Sequence, residues 1–333
     1  MTALRITLCL NGTAPEPWQQ GLSAALPEAV VSIWQPGMPQ PAQADLADLA
    51  VVWAPPQAFI DEQTSLKALF NIGAGVDALL RLRLPPDLAV VRLDDAGMAV
   101  QMAEYVCQAV IRHFRELDVS EAEMAAGQWA FRKPRQRADF AVGVLGLGVL
   151  GTRVAQALRM FEFPVNGWSR TAKSSQPVTP PATQSGTGTL DGVRFFAGDA
   201  QLPEFLAASR VLVNLLPLTA QTENILNRST LSQLQPGGYV INVARGAHLV
   251  EADLLALLDS GHLAGATLDV FRTEPLPEGH PFWHHPRLTL TPHTSARTLR
   301  DDSIAQIASK IRALAAGQPV SSLAGVVDHG LGY

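Results

Sequence analysis

Cysteine is nearly missing: Cys9 and Cys107 are the only two in 333 residues. A disulfide-stapled scaffold is excluded, neither residue has the paired spacing of a zinc site, and a reducing compartment is expected. Basic residues are not in surplus, with Lys plus Arg 25 against Asp plus Glu 30 and a formal charge of −5. No basic block is long enough to track a phosphate backbone, so no nucleic-acid partner is expected. Long apolar runs are absent as well. The best stretch, residues 140–150, is too short and too glycine-rich to cross a bilayer. The first ten residues lack a basic n-region and a small-residue cleavage site, so a cytoplasmic, membrane-free protein is expected.

What is present is apolar bulk: 47% of the chain, sufficient for about two packed domains at this length. In the N-terminal third, short apolar runs recur at 4–10, 49–53, 68–72 and 88–91, spaced for crossover connections, which predicts a small α/β unit with a mostly parallel sheet. Near residue 98 the period changes. Met102, Val106, Val110, Phe114 and Leu117 fall on one face of a helix of roughly five turns, long enough to link two domains. From residue 140 strand-like runs at 140–145, 164–168, 211–215, 239–243, 264–270 and 288–290 alternate with helical segments such as 150–160 and 251–258. That alternation predicts a doubly wound parallel sheet. A final helix carries Leu299, Ile304, Ile307, Ile311 and Leu314 and stops near Gly317. Between 173 and 192 the chain is Ser-, Thr-, Pro- and Gly-rich and reads as a mobile loop.

Gly146-Leu147-Gly148-Val149-Leu150-Gly151 follows one predicted strand and opens a helix with Leu150, Val154, Leu158 and Phe161 on its apolar face. Strand, glycines and helix together are the fingerprint of a dinucleotide pyrophosphate site. Gly146 permits the tight turn, Gly148 admits the phosphates and Gly151 lets helix and strand approach. About twenty residues on, where an Asp or Glu would meet the ribose of NAD, stand Ser169 and Arg170, with Lys173 shortly after. A hydroxyl, a guanidinium and an ammonium suit a 2′-phosphate, so NADPH is predicted to be preferred over NADH; the other reading makes these solvated loop charges.

Arg245, Glu274 and His293 lie at or just beyond successive predicted strand ends. They suit a proton-transfer site in which Arg holds an anion, His moves a proton and Glu orients the imidazole. Each is also what a surface or capping residue at a strand end looks like, and spacing alone does not decide. His280, His284 and His285 precede His293 without a thiolate or acidic partner set, and no metal is expected.

The ordered series of the 146–151 glycine turn, NVARG ending at Gly246, the segment from Leu268 through Thr273-Glu274-Pro275, and TPHTSA around His293 resembles the D-isomer-specific 2-hydroxyacid dehydrogenases over nearly the whole chain. NIGAGVD at 71–77, GMAVQMAEYV at 97–106, WAPP at 53–56 and GWSR at 167–170 are most similar to the family's glyoxylate and hydroxypyruvate reductase A branch. The resemblance implies two domains. A Rossmann-type cofactor domain, residues 100–288, is inserted into a smaller flavodoxin-like substrate domain made of 1–99 and 289–333, with the active site in the cleft. It implies reduction of glyoxylate to glycolate and hydroxypyruvate to D-glycerate. Arg245 would hold the substrate, His293 would protonate its carbonyl oxygen, and Glu274 would keep His293 charged. Backbone amides of Gly73, Ala74, Gly75 and Val76 would bind the substrate carboxylate, with Trp53 lining the pocket. Leu150 and Gly151 would meet the pyrophosphate, Leu216 and Pro217 the adenosine, Ala244 and Arg245 the nicotinamide ribose, and Asp269 the carboxamide. A homodimer through the cofactor domain is implied, with Trp129 as an arm residue or as simple packing. The chain departs from the family at Thr294-Ser295-Ala296, where glycines are usual, and in the length of the loop after Lys173. The rival readings are a dehydrogenase of a D-lactate-like or phenylpyruvate-like acid and a non-catalytic dinucleotide-sensing protein.

Overall fold

The computed structural model describes residues 4–39, 42–171 and 192–333. Lys173 and the expected mobile loop, apart from its last residue Gly192, lie outside them. The chain divides into two compact units, one of Met1–Met98 with Arg297–Tyr333 and one of Ala99–Ala296.

In the first unit, among the described residues, five parallel strands are ordered β2-β1-β3-β4-β5: β1 (Leu4–Leu10), β2 (Ala29–Ile33), β3 (Leu49–Trp53), β4 (Ala68–Asn71) and β5 (Ala89–Arg92). This is the flavodoxin-like order, whose direction reverses between β1 and β3. Four of these strands come from the apolar runs. β2 was not expected, because an edge strand with alternate residues exposed has too few apolar positions to stand out in sequence. The helix Arg300–Ala315 packs Ile304, Ile307 and Ile311 into this unit's core. It ends where Gly317 takes a left-handed φ of 90°.

The second unit holds seven parallel strands among the described residues: β6 (Val142–Leu145), β7 (Val165–Ser169), β8 (Val193–Ala197), β9 (Val211–Asn214), β10 (Gly238–Asn242), β11 (Leu263–Leu268) and β12 (Leu288–Leu290). Their order, β12-β11-β10-β9-β6-β7-β8, is the doubly wound Rossmann order with one strand added. Since β12 pairs with β11, residues 289–296 belong to this unit and not, as expected, to the first. Direction reverses between β6 and β9, the point where open α/β sheets bind ligands.

The expected helix of roughly five turns is present but stops short of Leu117. It runs Met98–Phe114, breaks at Glu116 where φ is +54°, and is followed by a separate helix, Leu117–Ala125. Leu117 therefore leaves the buried face and is 42% exposed. Phe161, expected on the apolar face of the helix Val149–Met160, sits past its end and is also exposed, whereas Val154 and Leu158 are buried. Both cysteines are free and buried, and burial pushes the Cys9 thiol up to about 12 and the Cys107 thiol to about 11, so neither is a ready thiolate.

Candidate active site

In the second unit the glycine turn is built by close approach. A Cβ on Gly151 would lie 1.9 Å from the Gly146 carbonyl oxygen, and one on Gly146, whose φ is +104°, would lie 2.9 Å from the Leu215 backbone. Only glycine fits either place. At Gly148 the opposite holds, for a Cβ there would meet nothing within 4 Å. Gly148 is the N-cap of the helix Val149–Met160, and no side chain caps that end. The first amides of this helix therefore have no side-chain cap, and Leu150 beside them is half-buried.

Ser169 ends β7, with Arg170 next; the Ser169 hydroxyl donates to the Thr171 carbonyl at 2.7 Å. Leu216 and Pro217 follow β9, directly across the switch point from the glycine turn. Ala244 and Arg245 follow β10, where Gly246 comes so close to the next strand's exit that a Cβ would overlap the Phe271 carbonyl carbon at 1.8 Å. That contact brings the Arg245 turn against the segment carrying Glu274.

Three of the predicted residues are drawn together. His293 Nδ1 meets Glu274 Oε2 at 2.8 Å, with both side chains partly open to solvent. The other carboxylate oxygen, Oε1, accepts the Phe271 amide at 2.9 Å. Burial pushes the Glu274 carboxyl up, but the His293 hydrogen bond, the Phe271 amide and the charges of His293 and Arg245 outweigh it and hold the group below the usual carboxylate range. Glu274 is therefore an anion at neutral pH, in a field to which Arg245 contributes.

The turn that carries His293 is held from below. His293 takes a left-handed φ of 53°, a conformation uncommon outside glycine, and its amide donates to the Asp269 carbonyl at 2.8 Å. Asp269 is fully buried. Its Oδ1 accepts from the Thr294 amide at 2.8 Å and the Thr291 hydroxyl at 2.6 Å, and its Oδ2 from the Ser295 amide at 2.9 Å. The carboxylate expected to face a carboxamide thus spends three acceptor positions on the 291–295 turn. Tyr105 continues the chain, its hydroxyl 2.6 Å from that of Thr291; burial pushes the phenol up to about 12, so it remains a donor.

The first unit has its own candidate subsite. Asn71, buried at the end of β4, donates from Nδ2 to the carbonyls of Gly73 and Gly75, both at 2.9 Å. In a trans peptide the next N–H points opposite to the carbonyl, so the Ala74 and Val76 amides are turned away from Asn71, as an anion nest requires. The Trp53 indole lies against Gly73, where a Cβ would come within 2.5 Å of the ring. Sequence reasoning passed over Asn71, Thr291, Asn214, Asn242 and His248. A signal existed for three of them, since the apolar runs 68–72, 211–215 and 239–243 each carry an asparagine, Asn71, Asn214 and Asn242, at the next-to-last position. Among the described residues no group of three His, Cys, Asp or Glu is arranged to hold a metal, and no helix is long and apolar enough to cross a membrane.

A doubly wound unit with a glycine turn at its switch point and a histidine-glutamate pair beyond β11 and β12 has the form of a dinucleotide-dependent oxidoreductase. The model for the D-isomer specific 2-hydroxyacid dehydrogenase, NAD binding domain, matches residues 107–295. The chain is 47% identical over 324 residues to glyoxylate/hydroxypyruvate reductase A of Serratia proteamaculans, covering 96% of each. The protein of the same name in Yersinia enterocolitica is 45% identical over 323 residues, 95% of this chain and 96% of that one. Among solved structures, a D-isomer specific 2-hydroxyacid dehydrogenase of Xanthobacter autotrophicus in complex with NADPH and MES is similar over all of both chains, with TM-score 0.89 and 38% identity. An NADPH-dependent glyoxylate/hydroxypyruvate reductase of Sinorhizobium meliloti in complex with NADP and sulfate matches 99% of this chain and 100% of its own, with TM-score 0.85 and 33% identity. The chain belongs to the D-isomer-specific 2-hydroxyacid dehydrogenase family.

The two glycine environments separate binding from folding. Gly148→Ala should leave the melting temperature within about 2 °C of the parent, while the added methyl weakens dinucleotide binding about tenfold or more. Gly151→Ala should lower both, because the turn itself must move. Thermal melts beside fluorescence titration with NADPH check the pair.

Proposed function

We propose that the protein reduces small 2-oxo acids with NADPH, turning glyoxylate into glycolate and hydroxypyruvate into D-glycerate. The observation that carries the reading is the His293–Glu274 pair at 2.8 Å, under the charge of Arg245. The names of the Serratia and Yersinia relatives support the substrates, and the dinucleotides in the Xanthobacter and Sinorhizobium structures support the cofactor. The end of β7 supports NADPH on chemical grounds, since Ser169 and Arg170 can meet a 2′-phosphate and the sequence holds no Asp or Glu between Phe163 and Leu190.

Bound NADPH supplies a hydride to the carbonyl carbon. The Arg245 guanidinium holds the substrate carboxylate and polarises the carbonyl. As the C=O π pair moves onto oxygen, His293 gives that oxygen the proton on Nε2, while Glu274 fixes Nδ1 and offsets the imidazolium charge. Within the first unit, the Gly73-Ala74-Gly75-Val76 amides are proposed to bind a carboxylate, beside the Trp53 ring. Gly146, Gly148, Leu150 and Gly151 take the pyrophosphate, Leu216 and Pro217 the adenosine, and Ala244 the nicotinamide ribose.

Oxidation of NADPH should be fastest with glyoxylate and hydroxypyruvate and slower with pyruvate and phenylpyruvate, with NADH the poorer donor. His293→Ala should lose about a hundredfold or more in kcat, and Arg170→Asp should move the preference toward NADH. Undiminished turnover in His293→Ala removes that residue from the proton path. Tight NADPH binding with no turnover on any of the four acids makes the chain a dinucleotide-sensing protein instead.

The Glu274 carboxyl, held below its usual range, keeps its pairing above the unfolded-state value and loses it only as the pH falls through the lower folded value. The acid limb of the rate profile should therefore reflect other groups. Glu274→Gln keeps a hydrogen-bonding side chain without the charge, so its kcat/KM profile should lie about tenfold or more below the parent's around neutral pH. Profiles that superimpose would dismiss the electrostatic role.

The same unit is proposed to pair with a second copy through residues 117–131. The helix Leu117–Ala125 has no buried residue, and beyond it Trp129 and Phe131 are 92% and 89% exposed. Multi-angle light scattering should find a dimer that Trp129→Ala with Phe131→Ala shifts toward monomer; a monomeric parent protein would end this reading.

A further inference from the structure

Beneath the turns after β9 and β10 lie three buried polar side chains that the proposed chemistry does not use. Asn214 and Asn242 face each other as register partners at the last position of the two strands, and His248 belongs to the short turn Gly246–His248; all three are fully buried. Each asparagine oxygen accepts the amide two residues ahead, Leu216 at 3.2 Å and Ala244 at 3.3 Å. These are Asx turns, which bend both strands out of the sheet in the same way. The Asn214 amide then ties them together, donating to Asn242 Oδ1 and to His248 Nδ1, both at 3.0 Å. Asn242 Nδ2 donates to the Arg245 carbonyl at 3.0 Å. His248 Nε2 lies 3.2 Å from the Pro217 carbonyl.

The donors and acceptors dictate one arrangement. Nδ1 faces an amide N–H and must accept, so the neutral ring carries its proton on Nε2 and donates it to Pro217. Pro217 and Arg245, on neighbouring turns, are thus joined through His248, Asn214 and Asn242 without any exposed group. Removing the imidazole would leave a buried Asn214 N–H unpaired and the Pro217 carbonyl held only by the Thr222 hydroxyl, at 2.6 Å, so the tie between the two turns would be lost.

We propose that Asn214, Asn242 and His248 form a clamp that sets the spacing of the Leu216–Pro217 and Ala244–Arg245 turns, and that His248 is a positioning residue for dinucleotide binding and for Arg245. The inference rests on the assignment of those turns to NADPH and substrate.

The test measures melting temperature, the Kd of NADPH without substrate, and KM and kcat for glyoxylate. His248→Ala should weaken NADPH about tenfold and raise KM for glyoxylate, as expected for one lost buried hydrogen bond with an unpaired partner. His248→Gln, whose amide can still donate to Pro217, should recover most of the NADPH affinity and serves if the alanine variant fails to fold. Asn242→Ala cuts the link to Arg245 while leaving His248 on Pro217, so KM for glyoxylate should rise more than the Kd of NADPH. A merely structural role lowers the melting temperature alone, and parental Kd and KM in folded His248→Ala and Asn242→Ala would overturn the clamp. Arg245→Lys, run in parallel, separates the two ideas: an unchanged KM there would dismiss the substrate role of Arg245 and leave the NADPH measurement as the test of the clamp.

Discussion

Among the described residues every pairing of one strand with another in the two sheets is parallel, and that constraint organises the protein. Parallel pairing needs a long return connection after each strand and sets all the carboxyl ends of a sheet along one edge. At that edge the backbone leaves its ladder, so amides, carbonyls and side chains become available for other work. The chemistry follows: the glycine turn after β6, Ser169 at the end of β7, the asparagines closing β4, β9 and β10, Asp269 after β11 and His293 after β12 all stand there. Strand interiors supply the core and little else, as Val144, Val213 and Ile241 show.

The same edge is where buried polar groups must be satisfied. Asn71, Asn214, Asn242 and Asp269 are almost wholly inaccessible, and a buried amide or carboxylate without partners would cost more than most single contacts contribute. Each finds partners in the turns at this edge, its own or a neighbouring strand's, and in doing so constrains their paths. Asp269 takes two amides and a hydroxyl from the 291–295 turn, which is how His293 is held at an uncommon φ. Asn71 pins two carbonyls and thereby aims two amides. Exposed ion pairs such as Lys67 with Asp48 contribute far less to this order.

Much of this was legible in the chain. Apolar runs located four of the five strands of the first unit, and the glycine spacing located the tight turn after β6, because each is a local property of consecutive residues. The edge strands β2 and β8 were not legible, since most of their residues are exposed or only partly covered. Leu117 continued the helical period in sequence, but the chain breaks at Glu116 and the periodicity carries no information on where a backbone turns. Arg245, Glu274 and His293 could be named as candidates from their places after strands, and family resemblance gave them roles. Their meeting could not be read from spacing.

What the amino-acid order determined by itself is the alternation of strand and helix, the glycines at 146, 148 and 151, and the residue types at each strand end. These follow from period, steric allowance and hydrogen-bonding capacity, all of which act over a few residues. The tertiary structure alone decided that His293 lies 2.8 Å from Glu274 nineteen positions away, that Asp269 faces inward to hold that turn, and that Asn214, Asn242 and His248 converge. Strand order and register set those distances, and register is a property of pairs of segments remote in sequence, fixed when their apolar faces are buried together.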